Sequence, residues 1–172
     1  MNTGDWSHAV LDALAHSGEE GQAVANFIAG RKVKIRFHQQ SSGTAGRWTL
    51  CGNIEINPGC YSTQTRPDDA ALLSLIVHEA RHLRQGLLRA LSVYGELEAW
   101  QAGYNIYKLL MGVYPHPILA EICALSLGWD RHVLRQARTL MQKYATKGYR
   151  IDLLPLYPIV QEIFFRLTGR VP

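Results

Sequence analysis

SLIVHEARHLRQG, residues 74–86, sets two histidines four apart with a glutamate directly after the first. The residues around it are apolar: Leu72, Leu73, Leu75, Ile76 and Val77 lead in, and Leu83 follows. Pro67-Asp68-Asp69 stands upstream, and proline and acidic side chains are favoured where a helix begins. The pattern predicts a helix over 68–85, ended by Gly86. At about 3.6 residues per turn, His78 and His82 share a face one turn apart, while Glu79 is rotated from His78 by about 100°.

Outward from this helix the chain changes character. KVKIRF (32–37) puts Val33, Ile35 and Phe37 on one side and Lys32, Lys34 and Arg36 on the other, the alternation of a half-buried strand. The polar run QQSSGTAG (39–46) reads as a loop, and RWTLCGNIEINPG (47–59) as a hairpin turning at Gly52-Asn53. Before the strands, residues 5–29 read as helix, broken near Gly18 and stopped at Gly30. After them the chain reads as helical over 68–85, 92–111, 117–127, 130–145 and 156–168. This order predicts an α+β fold: a small antiparallel sheet of about three strands packed on a mainly helical domain. Residues 1–172 are expected to form one domain, with a core at 30–112 and a C-terminal helical extension at 113–172.

Composition limits the function classes. With 47% hydrophobic and 19% charged residues, the 172-residue chain is globular in character, not disordered. No apolar run approaches the roughly 20 residues of a membrane helix, so no membrane association is expected. The N-terminal MNTGDWSHAV lacks the basic and apolar regions of a secretory signal. Cys51, Cys60 and Cys123 form no C-x-x-C pair, which fits a reduced, cytoplasmic protein. A net charge of +4 is mild, and Lys and Arg are dispersed apart from short groups at 31–36 and 131–138. Solvated faces account for that, and nucleic-acid binding is not expected.

The chemistry concentrates at residues 78–82. Two imidazoles one helical turn apart can reach a single ion at about 2.0–2.1 Å, the Zn–N distance. Glu79 stands too far round the helix to join them but near enough to touch a water on the ion, the position of a general base. From the chain's 7 histidines and 8 glutamates, H-E-x-x-H would arise by chance with a probability of about 1%. Three titratable groups beside an apolar helix face also need compensation for lost hydration, and a cation supplies it.

His78-Glu79-Ala80-Arg81-His82 resembles the zincin metallopeptidase signature. The H-E-x-x-H-x-x-G-x-x-H continuation of metzincins is absent, and GELEAW (95–100) instead resembles the glutamate-bearing helix of gluzincins, in their small, minimal-sheet form. The resemblance spans roughly residues 50–107, and past residue 112 nothing of the kind is recognised. It implies a zincin-like fold, a Zn²⁺ cofactor and hydrolysis of a peptide or protein substrate. His78 and His82 would be ligands, and Glu79 would take a proton from the attacking water.

The same resemblance calls for a third ligand, and Glu96 and Glu98 are the candidates. Glu96 shares its side with the small residues Ala99 and Gly103, with Gly95 beside it, which favours close helix approach. It also begins an E-x-x-A pattern like the family's. Glu98 is the alternative, on a wetter face. Tyr94, Tyr104 and His116 are candidates for stabilising an oxyanion, and Asn57 and Gln85 for orienting ligands. The strand ending in Ile54-Glu55-Ile56 is the expected substrate-pairing edge, and loop 58–66 could lie over the cleft. His8, His16, His38 and His132 show no ligand spacing. The alternative function is a non-catalytic zinc-binding regulatory or interaction module. Glu79 argues against it, because a structural zinc site has no use for a base.

Overall fold

A computed structural model describes residues 2–41, 43–145 and 149–172. The fold is α+β. Helices α1 (Thr3–Ala15) and α2 (Glu19–Arg31) precede strands β1 (Ile35–Phe37), β2 (Gly46–Trp48) and β3 (Ile54–Ile56). Then come α3 (Ala70–Gln85), the single-turn α4 (Leu87–Ala90) and the long α5 (Val93–Met111). Helices α6 (Pro117–Ala124) and α7 (Arg131–Tyr144), a 3₁₀ turn at Ile151–Leu153 and α8 (Ile159–Thr168) complete it.

The sheet differs from the expected one. Its order is β1-β3-β2, with β3 antiparallel to β2 and parallel to β1, so it is mixed. The hairpin at residues 47–59 forms, but its turn lies at residues 50–52 and not at Gly52-Asn53: the Gly52 amide bonds the Thr49 carbonyl, and the Thr49 amide closes on the Asn53 carbonyl, each at 2.9 Å. What local reading missed is that β1 pairs with the second hairpin strand, since nothing near Ile35 in sequence specifies a parallel neighbour. Consequently β3 is central, and Ile54-Glu55-Ile56 is not an edge. The free edges belong to β1 and β2.

Helix ends follow capping chemistry. The Asp69 carboxylate accepts from the Leu72 amide at 2.9 Å and starts α3, and Gly86, at φ 74°, ends it with a backbone angle that L side chains rarely adopt. Ser92 caps α5 by accepting from the Gly95 amide. Helix α2 runs past Gly30, where a stop was expected. Lys32 takes the left-handed conformation instead, and the amides of Lys32 and Val33 close onto the Ala29 and Ile28 carbonyls.

Two apolar clusters share α5. In the first, Leu72, Leu73, Ile76, Val77 and Ala80 of α3 pack with Trp6, Val10 and Leu14 of α1, Ile28 of α2 and Ile54 and Ile56 of β3. Each fully buried aliphatic side chain here contributes on the order of 1.5–3 kcal/mol. In the second, Val93, Leu97 and Trp100 of α5 meet Leu119 and Ile122 of α6, Leu134 and Met141 of α7, and Leu156 and Tyr157. The segment past residue 113 therefore supplies one whole wall for α5. Its backbone does more: the Pro155 and Leu156 carbonyls accept from the Val93 and Tyr94 amides at 2.8 and 3.1 Å, satisfying donors that a helix start leaves open.

Candidate metal centre

Helices α3 and α5 are the most extensively packed pair, and glycine permits it. A Cβ on Gly103 would lie 2.7 Å from the Ser74 carbonyl oxygen and 3.3 Å from the His78 Cβ. Helix α5 thus lies tight against α3 beside the first histidine. Glu96, two turns earlier on α5, is brought over His78 and His82.

The three side chains converge. His78 Nε2 and His82 Nε2 are 3.1 Å apart. The Glu96 carboxylate oxygens lie 3.9 Å from the former and 3.6 Å from the latter. One donor atom from each fits within 4.8 Å of the others. Donors about 2.0–2.1 Å from a tetrahedral zinc stand about 3.3 Å apart, so the two histidines already have the spacing of such a site, and the Glu96 carboxylate, somewhat farther out, would close in to complete it. Glu98 does not take part. Its carboxylate is bound by Arg81 at 2.6 Å, by both Arg89 donors at 3.0 Å and by Gln85 Nε2 at 2.8 Å.

Gln85 connects Glu98 to the centre. Its Nε2 donates to the Gly95 carbonyl and to Glu98, which leaves Oε1 to accept from His82 Nδ1 at 3.1 Å. A proton held on Nδ1 leaves the lone pair on Nε2, facing His78 and Glu96. Glu79 points elsewhere, as its rotation on the helix requires. Its Oε2 accepts from the Trp48 amide of edge strand β2 at 2.7 Å, and Oε1 remains available. The chain matches no family model, no curated protein and no solved structure.

Enclosure sets the electrostatics. The side chains of His82, Glu96 and His78 are 1%, 14% and 18% exposed, and Glu79 is 5% exposed. Burial, with His82 nearby, pushes the His78 pKa down to about 4. Burial also pushes the Glu79 carboxyl up to about 7, against the opposing influence of His82 and the Trp48 amide. Between His82 and Glu96 burial works against both charges, yet the attraction between the two groups, 3.6 Å apart, prevails. His82 is held above, and Glu96 below, its ordinary value.

A residue that local pattern could not find completes the surroundings. The Tyr149 hydroxyl donates to Glu96 Oε2 and itself accepts from Trp100 Nε1 at 2.8 Å. Burial and the adjacent Glu96 hold the phenol well above its ordinary pKa, so it stays a donor. The expected oxyanion donors are occupied elsewhere. Tyr94 accepts from Arg89 and stacks on Trp129, Tyr104 packs against Trp100 and Tyr144, and the His116 side chain caps α6. Asn57 is not near the ligands either: it binds the Thr44 carbonyl and the Gly59 amide and fixes the turn after β3. Loop 58–66 is tied back, with Trp6 Nε1 donating to the Thr65 carbonyl at 2.9 Å. Among the described residues His78, His82 and Glu96 are the one such group; His8, His16, His38 and His132 stay outside it.

Proposed function

We propose that the chain is a zinc-dependent metallopeptidase, a hydrolase of peptide or protein substrates. The observation that carries this reading is the division of labour on α3: His78 and His82 converge with Glu96, while Glu79 is held apart by the Trp48 amide. His78, His82 and Glu96 would hold the ion. Zinc, when bound, supplies Lewis acidity that acidifies water and polarises a carbonyl.

The remaining chemistry belongs to the chain's own groups. With Oε2 fixed by the Trp48 amide, Glu79 Oε1 is free to take a proton from the attacking water and pass it to the leaving nitrogen. The Trp48 amide also places the edge of β2 beside the base, so a substrate backbone pairing with β2 would bring its carbonyl to the site. Tyr149 donates to Glu96, and Trp48 and Trp100 flank the two histidines.

One observation favours the second reading, a zinc-binding module without turnover. Tyr149 bonds Glu96 directly and the ionisable groups are almost out of solvent, as in a closed structural site. Two measurements separate these readings. Elemental analysis after zinc reconstitution should give about one ion per chain, and a peptide-library screen should show cleavage that Glu79→Gln lowers by about 10²–10⁴ while zinc is retained. Bound zinc with no cleavage in the wild type establishes the module instead. No transition metal at all removes both readings.

A further inference from the structure

A groove of about 430 Å³ lies where α2, α3 and α5 meet the segment after α6, with Glu20, Arg81, Gln101, Ile106, Leu109 and Leu127 in its walls. Its size falls within the roughly 300–1,000 Å³ of small-molecule sites. Glu98 borders it too, but that carboxylate is already taken up by Arg81, Arg89 and Gln85.

Three of the polar groups have bonding capacity left over. Gln101 is only 7% exposed, and its Nε2 donates to the Ile122 and Leu125 carbonyls at 2.9 and 2.8 Å. Those two bonds fix the amide and leave Oε1 without a partner among the described residues. An enclosed acceptor left so is costly unless something in the groove satisfies it. Arg81 spends Nη2 on Glu98 at 2.6 Å. Its Nη1 stands 3.9 Å from Glu20, beyond hydrogen-bond range, and its Nε has no partner among the described residues. Glu20 is held through Oε1 alone, by Arg84 at 3.4 Å.

One groove thus offers a neutral and a charged acceptor, a charged donor, and an apolar wall formed by Ile106, Leu109 and Leu127. A molecule that matches all of them carries an ammonium for Gln101 Oε1 and Glu20, a carboxylate for Arg81 Nη1, and an aliphatic body for the wall. A simple carboxylate would leave the Gln101 and Glu20 acceptors unmatched, and a simple amine would leave the guanidinium unmatched. We propose that this groove binds a free aliphatic α-amino acid of leucine's size, as its zwitterion.

The test is a nuclear magnetic resonance titration of the ¹⁵N-labelled full chain with L-leucine. The Gln101 side-chain amide and the Leu127 backbone amide should shift and saturate with a Kd of about 1 mM or tighter, as suits so small a ligand. 3-Methylbutylamine lacks the carboxylate and 4-methylpentanoate lacks the ammonium, so each should bind at least about 10-fold more weakly. Glu20→Gln and Leu109→Asp, neither at a buried position, should melt as the wild type does and weaken leucine binding about 10-fold. No shift of these groups up to about 20 mM leucine overturns the proposal. So does a one-charge analogue that binds as tightly as leucine, binding indifferent to both substitutions, or a response centred on His78 and His82 instead of the groove.

Discussion

Tyr149 donates its hydroxyl hydrogen to Glu96 across 53 positions of sequence, and so ties the segment after α7 to the carboxylate that faces both histidines. With Trp100 Nε1 bonded to the same hydroxyl, the carboxylate is oriented by a chain of two hydrogen bonds. Tyr149→Phe removes the donor and keeps the ring. Zinc affinity, measured by competition with a chromogenic chelator, should fall by roughly 10-fold, the usual effect of losing an orienting partner. Unchanged affinity would leave Tyr149 a packing residue.

The two glutamates of α5 should separate cleanly. Glu96→Ala deletes a donor atom and should lower zinc affinity by more than 10-fold. Glu98→Ala spares the donors but strands the Arg81 and Arg89 guanidiniums and frees Gln85. It should lower stability by about 2 kcal/mol, because buried charge partners are lost, and shift zinc affinity less than Glu96→Ala does. Denaturant melts of the metal-free variants, set beside the chelator titration, give both quantities. A larger affinity loss in Glu98→Ala would reverse the assignment.

Gly103→Ala tests the approach of the helices. The added methyl would meet the Ser74 carbonyl oxygen at 2.7 Å, closer than real Cβ contacts come, so α5 must move off α3 beside His78. Both zinc affinity and the melting temperature should fall, although no ligand has changed. A melt lowered without loss of affinity would show that the shift is absorbed away from the centre.

Metal-free stability should depend on pH through Glu79. Its folded pKa of about 7 lies above the ordinary 4.5, so its favourable contribution is complete below about 4.5 and is lost as pH rises through about 7. His78 runs the other way: lowered from 6.5 to about 4, it contributes stability above 6.5 that is lost as pH falls through about 4. Glu79→Gln removes the first dependence alone. The metal-free variant should exceed the wild type by on the order of 3 kcal/mol at pH 8, with the gap closing by pH 5. A gap that does not vary with pH would mean that the carboxyl titrates normally.

The placement of His78 and His82 on one face, with Glu79 turned off it, was legible because a helix converts spacing directly into direction, and the three lie about one turn apart. The approach of Glu96 to the histidines was legible only in part: Gly103 of the small-residue row does meet α3, whereas Gly95 meets the Arg89 and Ala90 backbone of α4. The half-buried alternation of β1 was also visible, with Ile35 inside and Lys34 and Arg36 outside. The parallel β1–β3 pairing was not, because it depends on a partner beyond an inserted strand. Trp48 and Tyr149 escaped for a stronger reason. Trp48 acts through its backbone amide, which every residue but proline has, and Tyr149 stands in a segment with no motif.

The carbonyls of Pro155 and Leu156 that close the first amides of α5 bear on the order in which the centre is completed during synthesis. A ribosome delivers His78, His82 and Glu96 well before it delivers Tyr149, Pro155 and Leu156. A nascent chain that has just passed Met111 carries every donor atom, yet the helix bearing Glu96 starts with unbonded amides and its carboxylate has no tyrosine to hold it. On the proposed function, ion capture at full strength would therefore be a late event, delayed until the 149–157 segment folds back onto α5.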